Sequence, residues 1–500
     1  MPGGGGMWPL LFVALLPLLL ATGRGDARHA VCCGFTAGIL HYSLLLYWIV
    51  IVVGRYGGLP WYVSCLGLLA LALYMSLYLI LFSVLARLLL ATFSQPICLW
   101  LLPTLWVGID WARGVLFTGL PWMDLGYGLF EIPILIQVAD LVGHHGVSFL
   151  IVFINTFIYL LLAGKESRRM TAALLVPSLF FLAGAGLYAE KRLDSITAME
   201  EAAATPSLRV AIVQGNIDQS LKWSPAHQRI TVEKYLKQTR MLAEEKDVSL
   251  MVWPETALPF YPPSSPLMTL LEQEVAALGL GLVTGAPWYE VVNQEKKEIS
   301  FYNSAVLLRP DGRPGERYNK SHLVPFGEYI PLKKFLPFLA PLVEAVGDFS
   351  PGTIDRPLHW QQARAGVLIC FESVFPALSR RWVDKGANVL INLTNDAWYG
   401  KSSAPYHSLA MSVFRAVESR RSLVRSANTG VSAFVSPSGR ILDRSEIFVP
   451  WAAAADVVLL KEKTIWVRYG YLFAPVCLIL GLVSAAVGGV RRRRALLLRA

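Results

Sequence analysis

The chain has 500 residues, of which 54% are hydrophobic and only 16% are charged. With a mean hydropathy of +0.48, this composition excludes a wholly soluble protein and predicts several membrane spans. The formal net charge of +10 does not indicate nucleic acid, because the basic residues are scattered or lie beside apolar segments, as Arg491–Arg494 do. We therefore expect no nucleic-acid partner.

Apolar stretches predict how the chain is organised, since about 20 apolar residues cross a bilayer. The candidate spans are Trp8–Ala21, Ala30–Val53, Trp61–Leu90, Ile97–Ala112, Val147–Ala163, Ala172–Tyr188 and Tyr469–Val490. No comparable stretch occurs between Glu190 and Arg468. We predict a transmembrane helical domain of about six spans over residues 1–190, a soluble domain over 191–468, and a C-terminal transmembrane helix with a basic tail over 469–500.

Positive charge predicts the orientation in the membrane. Lys165, Arg168 and Arg169 separate two candidate spans, and Arg491–Arg494 follow the last one. If both basic sites are cytoplasmic, the soluble domain lies on the opposite face of the membrane. An odd number of spans then places Met1 outside. A cleaved signal peptide and a missing first helix are the two alternatives for this end of the chain.

The soluble domain alternates short apolar strands with amphipathic helices, which predicts an α/β fold. The predicted strands are Leu208–Gln214, Ser249–Trp253, Gly281–Gly285, Tyr302–Leu308, Gly315–Tyr318, Gly366–Ile369 and Asn388–Asn392. The predicted helices are Pro225–Glu245, Leu270–Leu278, Ala377–Lys385 and His407–Arg421. Turn signals at Pro310–Gly312 and Ser436–Gly439 add two hairpins. This pattern indicates a two-layered sheet packed between helices.

The soluble domain has one cysteine, Cys370, which follows the apolar run Gly366–Ile369. The other five cysteines lie in membrane-like apolar stretches. A thiol without an internal disulfide partner is either an inert core residue or a nucleophile.

Two other residues stand at or just beyond predicted strand ends, Glu255 in Trp253–Pro259 and Lys320 in Arg317–Tyr329. Because binding crevices form at strand ends in α/β sheets, we expect both to converge with Cys370. A thiolate can attack a carbonyl, a carboxylate can take the thiol proton, and an ammonium can stabilise the oxyanion. Taken singly, Cys370 fits core packing, Glu255 fits a solvated turn and Lys320 fits a surface loop. Together, in this order, they indicate acyl transfer.

The motifs around these residues resemble the membrane-bound branch of the nitrilase superfamily, the apolipoprotein N-acyltransferases. The similar segments are Gly215–Trp223, Trp253–Pro259, Asn319–Tyr329, Cys370–Glu372, Asn392–Gly400 and, in the membrane part, Leu120–Tyr127. The resemblance covers nearly the whole chain. It implies a multi-span α-helical membrane bundle joined to a nitrilase-like catalytic domain, which is an α-β-β-α sandwich.

The resemblance also implies roles for individual residues. Glu255 would be the general base, Lys320 the oxyanion-stabilising lysine and Cys370 the nucleophile. Glu328 and Glu372 match further acidic residues of the family's active site. Residues near the acyl or head-group site are implied to be Trp223, Asn303 and Trp398. Interfacial anchoring is an equal alternative for the two tryptophans, and a solvated strand end is the alternative for Glu372.

The function implied by the resemblance is the last step of bacterial lipoprotein maturation. A phospholipid would donate an acyl chain through a cysteine thioester to the α-amino group of a diacylglyceryl-apolipoprotein. No cofactor and no metal are expected, and we expect a monomer in the inner membrane with its catalytic domain on the periplasmic face. Family members usually have eight spans, so the resemblance implies that a first helix is missing here.

Two other functions are compatible with parts of the pattern. The first is a membrane-tethered nitrilase-type amidase, in which water attacks the acyl-enzyme. The apolar loop Phe326–Val343 favours transfer over hydrolysis, because it is suited to binding acyl chains or to entering the bilayer. The second is a non-catalytic scaffold that binds lipoproteins, and the retained Glu–Lys–Cys set argues against it.

Overall fold

The computed structural model of the chain describes residues 6–163, 168–245, 247–295, 298–329 and 349–498. It divides into two compact units. We call Met1–Ser195 with Thr464–Ala500 the helical unit, and Ile196–Lys463 the sheet unit.

The helical unit is built from α-helices joined by short turns. Its helices are Leu16–Arg24, Ala27–Leu45, Trp48–Ile51, Trp61–Thr92, Gln95–Val115, Pro133–Ile136, Ala139–Val142, His144–Ala163, Arg168–Glu201, Ile465–Arg468 and Phe473–Leu497. Short 3-10 helices cover Trp8–Phe12, Leu116–Thr118, Leu125–Leu129 and Gly470–Leu472, and a π-helix covers Val52–Tyr56.

Within the described residues, four helices are long and apolar enough to cross a membrane. They are Trp61–Thr92, His144–Ala163, Thr171–Glu201 and Gly470–Ala495. The helices Ala27–Leu45 and Trp48–Tyr56 make a fifth span if they count as one, although a bend of 49° separates them. The sequence predicted a single span, Ala30–Val53, at this position.

The other two predicted spans differ from these helices in length or composition. The stretch predicted at Trp8–Ala21 is the shorter apolar helix Trp8–Arg24, which at 1.5 Å per residue falls short of a hydrocarbon core of about 30 Å. The stretch predicted at Ile97–Ala112 lies in the helix Gln95–Val115. That helix is not among the four, and it carries an aspartate and an arginine that lower its hydropathy.

Those two charged residues belong to a buried ionic cluster. The Arg113 guanidinium lies 3.4 Å from Asp110 Oδ1 and also pairs with Asp124. The Nε2 atom of His144 lies 2.9 Å from the second oxygen of Asp124. Buried charges are tolerated when they are paired, so the cluster explains how an apolar helix accommodates them.

Glycines set the packing of the long helix Trp61–Thr92 against the helix Ala27–Leu45. A Cβ atom added at Gly34 would lie 2.6 Å from Ile80 Cα, and one at Gly38 would lie 2.7 Å from the Ser76 side chain. Small residues four positions apart let membrane helices approach closely, and dispersion contacts between the backbones then hold them together.

The sheet unit contains two six-stranded sheets. In chain order the strands are β1 (Ser207–Gln214), β2 (Leu250–Val252), β3 (Gly281–Asn293), β4 (Glu298–Leu308), β5 (Pro314–Asn319), β6 (Leu358–Trp360), β7 (Ala363–Ile369), β8 (Val389–Thr394), β9 (Ser422–Ala427), β10 (Ala433–Val435), β11 (Ile441–Arg444) and β12 (Trp451–Val458). The first sheet has the order β12-β1-β2-β3-β4-β5, and the second has the order β11-β10-β9-β8-β7-β6.

Each sheet has a parallel centre and antiparallel edges. Strands β1, β2 and β3 are parallel to one another, as are β7, β8 and β9. All residues of β8 and β9 are buried, as expected for central parallel strands covered on both faces. The sheets meet at their parallel strands, where the Ser426 hydroxyl donates to the carbonyl oxygen of Val252 at 3.3 Å.

Helices cross between the parallel strands and cover the outer faces of the sheets. Pro225–Glu245 and Pro266–Leu278 connect β1, β2 and β3, and Pro376–Asp384 and Ala404–Ser419 connect β7, β8 and β9. The order helix, sheet, sheet, helix, together with the helical unit, confirms the predicted fold class.

Local sequence signals explain where these helices begin and end. In the helix Pro266–Leu278, the Ser265 side chain accepts a hydrogen bond from Leu267 N, and the proline occupies the first turn. Gly279 follows the last turn in the left-handed conformation, with φ +64°. The buried residues of this helix, Met268, Leu271 and Val275, pack into the hydrophobic core beside the first sheet.

Candidate active site

The candidate nucleophile Cys370 lies at the carboxyl end of β7, where the chain turns sharply. It begins the short 3-10 helix Cys370–Val374, and its φ of +51° is strained for a residue with a side chain. The carboxylate of Glu372 holds this turn by accepting a hydrogen bond from Ile369 N at 2.7 Å. Strained backbone of this kind is frequent at functional sites, where contacts with the surrounding structure hold the residue in that conformation.

Glu372 also fastens the loop that carries Lys320. One of its oxygens accepts hydrogen bonds from the Tyr318 hydroxyl at 2.7 Å, from Ser321 N at 2.8 Å and from His322 N at 3.0 Å. The side chain is fully buried, and burial raises the pKa of its carboxyl. The alternative of a solvated strand end is therefore wrong for Glu372, which joins the turns that follow β5 and β7.

Lys320 lies between two buried carboxylates. Its Nζ atom is 2.8 Å from Glu328 Oε2 and 4.0 Å from Glu255 Oε1. The amide nitrogen of Asn303 donates to both carboxylates, at 2.8 Å to Glu255 and 3.0 Å to Glu328. Burial alone would lower the pKa of Lys320, but the two glutamates hold it above its ordinary value. The ammonium therefore remains charged at neutral pH.

Glu255 and the Cys370 thiol complete the group. Burial raises the pKa of both side chains; for the thiol, Glu255 raises it further and Lys320 opposes the shift. Cys370 is partly exposed, whereas Glu255 is buried. Among the described residues, Glu255 Oε2 has no hydrogen-bond partner. The site thus combines a neutral thiol with a carboxylate that has an oxygen available to accept a proton.

Gly285 of β3 sets the position of the Glu255 backbone. A Cβ atom at Gly285 would lie 2.6 Å from Glu255 Cα and 2.4 Å from Thr256 N. Thr256 itself has a φ of +47°, in the left-handed region. Only a glycine lets β3 pass this close to the turn without displacing it.

We expect Gly285→Ala to lower the rate of acyl-enzyme formation by about 10²-fold, because displacing a catalytic group by about 1 Å has an effect of this size. The measurement is transfer of a labelled acyl chain to the purified full-length protein in detergent micelles. Gly279→Ala is the control. An alanine there is strained at φ +64°, but its Cβ atom meets no other atom within 4 Å. It should lower the melting temperature without lowering the rate. Equal rates for the two variants would contradict this account.

A second buried network lies behind the thiol at the end of β8. The Thr394 side chain lowers the pKa of Cys370 through a hydrogen bond, and Asp396 raises it through its charge. Asp396 Oδ2 is 2.8 Å from the fully buried guanidinium of Arg425. Sequence reasoning did not assign Thr394, Asp396 or Arg425 to the site. The only signal was the quoted segment Asn392–Gly400, which contains the first two.

The two predicted tryptophans lie in segments that flank the site. Trp223 is 45% exposed and follows Lys222, whose side chain reaches the Glu255 turn. Trp398 is partly exposed in the 3-10 helix Asp396–Tyr399. The predicted acyl-binding loop Phe326–Val343 lies outside the described residues from position 330 onward.

One group of side chains in the described part of the chain has the spacing of metal ligands: Asp124, His144 and His145, whose ligand atoms lie within 4.8 Å of one another. It belongs to the helical unit, and Arg113 already supplies positive charge to its aspartate. In the sheet unit, the Lys320 ammonium lies between Glu255 and Glu328. It occupies the position that a metal ion bound to these two carboxylates would take.

The chain is similar in sequence to known proteins along most of its length. Residues 4–157 match the family described as apolipoprotein N-acyltransferase N-terminal domain, and residues 209–448 match carbon-nitrogen hydrolase. The apolipoprotein N-acyltransferase of Geobacter metallireducens is 40% identical over 97% of this chain and 92% of its own length. The apolipoprotein N-acyltransferase of Chlorobaculum tepidum is 30% identical over 97% of this chain and 92% of its own length. Among solved structures, the NitN amidase from Nesterenkonia is 21% identical, with a TM-score of 0.38 over 52% of this chain and 96% of that one.

The two apolipoprotein N-acyltransferases confirm the family and the acyltransferase class predicted from the motifs. They do not favour the amidase alternative. An amidase would leave unexplained why residues 4–157 match the N-terminal domain of apolipoprotein N-acyltransferases. The chain belongs to the apolipoprotein N-acyltransferase family.

Proposed function

We propose that the protein transfers an acyl chain from a membrane phospholipid, through a thioester on Cys370, to the α-amino group of the N-terminal diacylglyceryl-cysteine of apolipoproteins. The observation that carries this proposal is the convergence of Cys370, Glu255 and Lys320 in one site of the sheet unit. A thiol, a proton-accepting carboxylate and a buried ammonium are the groups that acyl transfer requires.

In the first half-reaction, Cys370 Sγ attacks the ester carbonyl of the phospholipid while Glu255 takes the thiol proton. A base is needed because burial raises the pKa of the thiol well above neutral pH. Lys320 stabilises the negative oxygen of the tetrahedral intermediate. The carbon–oxygen bond then breaks, Glu255 protonates the leaving alkoxide, and a lysophospholipid departs from the thioester enzyme.

In the second half-reaction, the neutral α-amino group of the lipoprotein attacks the thioester. Glu255 accepts a proton from the attacking nitrogen, and Lys320 again stabilises the oxyanion. The carbon–sulfur bond breaks as the amide forms, and the departing thiolate recovers a proton from Glu255. Each group returns to its starting state, and no cofactor takes part.

The membrane helices fit two substrates that remain in the bilayer, because lateral diffusion brings both lipids to a membrane-bound site. We place the sheet unit on the periplasmic face of the inner membrane. The support is the basic run Arg491–Arg494 at one end of the helix Phe473–Leu497, since such runs remain cytoplasmic. One chain supplies all three reacting groups, so a monomer suffices.

The proposal is tested with a phospholipid labelled in one acyl chain and a diacylated lipopeptide, mixed with purified full-length protein. We expect an amide-linked label on the lipopeptide and an equal amount of lysophospholipid. A lipopeptide whose α-amino group is acetylated is the matched control and should receive no label. Release of the label as free fatty acid, at one rate with or without the lipopeptide, would instead support an amidase-like hydrolase.

A further inference from the structure

Lys222 is a buried lysine that the reaction above does not use. It lies in the turn at residues 219–223 after β1, and its side chain is 0% exposed. Its Nζ atom donates to Thr256 Oγ1 at 2.8 Å and to the carbonyl oxygen of Glu255 at 3.4 Å. Among the described residues, no carboxylate oxygen lies within 4.0 Å of this nitrogen. A buried ammonium bound only to neutral acceptors is costly, which points to a role beyond packing.

The first role concerns the backbone. Thr256 is held at φ +47°, and β3 passes against the same turn at Gly285. Lys222 bonds two successive residues of this turn, the carbonyl of Glu255 and the hydroxyl of Thr256. These bonds fix the direction in which the Glu255 side chain leaves the backbone.

The second role concerns charge. Burial lowers the pKa of Lys222 to about 7, and Glu255 opposes that shift. In return, the Lys222 charge counteracts the burial that raises the pKa of Glu255. The ionisable groups that act on or respond to Glu255 are Lys222, Lys320, Glu328, Cys370 and Tyr399. Without Lys222, the carboxylates of Glu255 and Glu328 would share the single ammonium of Lys320.

On the basis of the proposed acyl transfer, we propose that Lys222 is a positioning residue of this site. It holds the Glu255–Thr256 turn in place and supplies the second positive charge that keeps the Glu255 carboxyl in its proton-accepting form. It acts through Glu255 and does not touch the reacting atoms.

The test compares Lys222→Met with wild-type protein in thioester formation from labelled phospholipid, measured from about pH 5 to about pH 9. We expect the acidic limb of the rate profile to move up by about one pH unit, because Glu255 loses a nearby positive charge. The rate of thioester formation on the plateau above this limb should fall about tenfold, because Lys222 no longer holds the Glu255–Thr256 turn. Lys237→Met, which removes an exposed lysine from the helix Pro225–Glu245, should leave both features unchanged.

A second variant separates geometry from charge. Thr256→Val removes the hydroxyl that Lys222 binds but keeps the ammonium, so its plateau should fall while its acidic limb stays in place. A wild-type plateau and acidic limb in Lys222→Met would overturn the proposal. If Lys222→Met does not fold, a wild-type plateau in Thr256→Val would overturn it. If wild-type protein itself forms no thioester, the proposed function fails and this proposal fails with it.

Discussion

Replacing Lys320 by methionine should impair both the reaction and the stability of the fold. We expect Lys320→Met to slow thioester formation by about 10²–10³-fold, the usual effect of removing one oxyanion donor. It should also lower the free energy of unfolding by about 3–5 kcal/mol, because Glu328 and Glu255 lose their shared buried ammonium. Stopped assays with labelled phospholipid measure the first effect, and denaturant unfolding of the detergent-solubilised protein measures the second.

A double variant separates the two effects of this substitution. Lys320→Met with Glu328→Gln removes one of the unpaired carboxylates, so much of the lost stability should return. The rate of thioester formation should remain low, since no cation is left to face the oxyanion. Recovery of the rate along with the stability would show that Lys320 serves only to pair charges in the core.

Glu255→Gln should lower the rate of thioester formation by about 10²–10⁴-fold, the range expected for loss of a general base. Glutamine keeps the shape of the side chain and can still accept the hydrogen bond from Asn303. It cannot take the proton from Cys370. Glu233→Gln, at an exposed position of the helix Pro225–Glu245, is the matched control and should retain the wild-type rate.

The pH dependence of the two proteins should also differ. In wild type, burial raises the pKa of Glu255, so the rate should fall as the pH drops through this raised value and remain level above it. In Glu255→Gln only thiolate formed without a base can react. Burial, the main cause that raises the pKa of Cys370, remains in the variant, so the residual rate should rise about tenfold per pH unit between about pH 6 and pH 9. A level profile in the variant would contradict the role of Glu255.

Much of the sheet unit was predictable, because its strands are short apolar runs that end at prolines, glycines or polar residues. Glu255 and Cys370 follow β2 and β7, which are central parallel strands of the two sheets. Binding crevices form at the carboxyl ends of such strands, so the sequence predicted that both residues line a crevice. Their convergence also depends on how the two sheets pack against each other, because the strands belong to different sheets.

What could not be predicted depends on contacts between residues far apart in the chain. Lys222 looks like a surface residue until the fold places it against Thr256, 34 residues away. Asp396 and Arg425 are 29 residues apart and pair only because β8 and β9 are neighbours. The bend of 49° after Leu45 leaves no sign in the apolar composition of that stretch, so the sequence predicted one span without a break.

The proposed reaction requires that an acyl chain is carried on Cys370. The most direct measurement incubates purified protein with phospholipid alone and determines the mass of the peptide that contains Cys370. We expect one acyl chain on that peptide, which hydroxylamine releases as it does a thioester and a diacylated lipopeptide discharges. The chain should be absent from Cys370→Ala. Acylation of the lipopeptide by Cys370→Ala, or an acyl chain found on another residue, would contradict it.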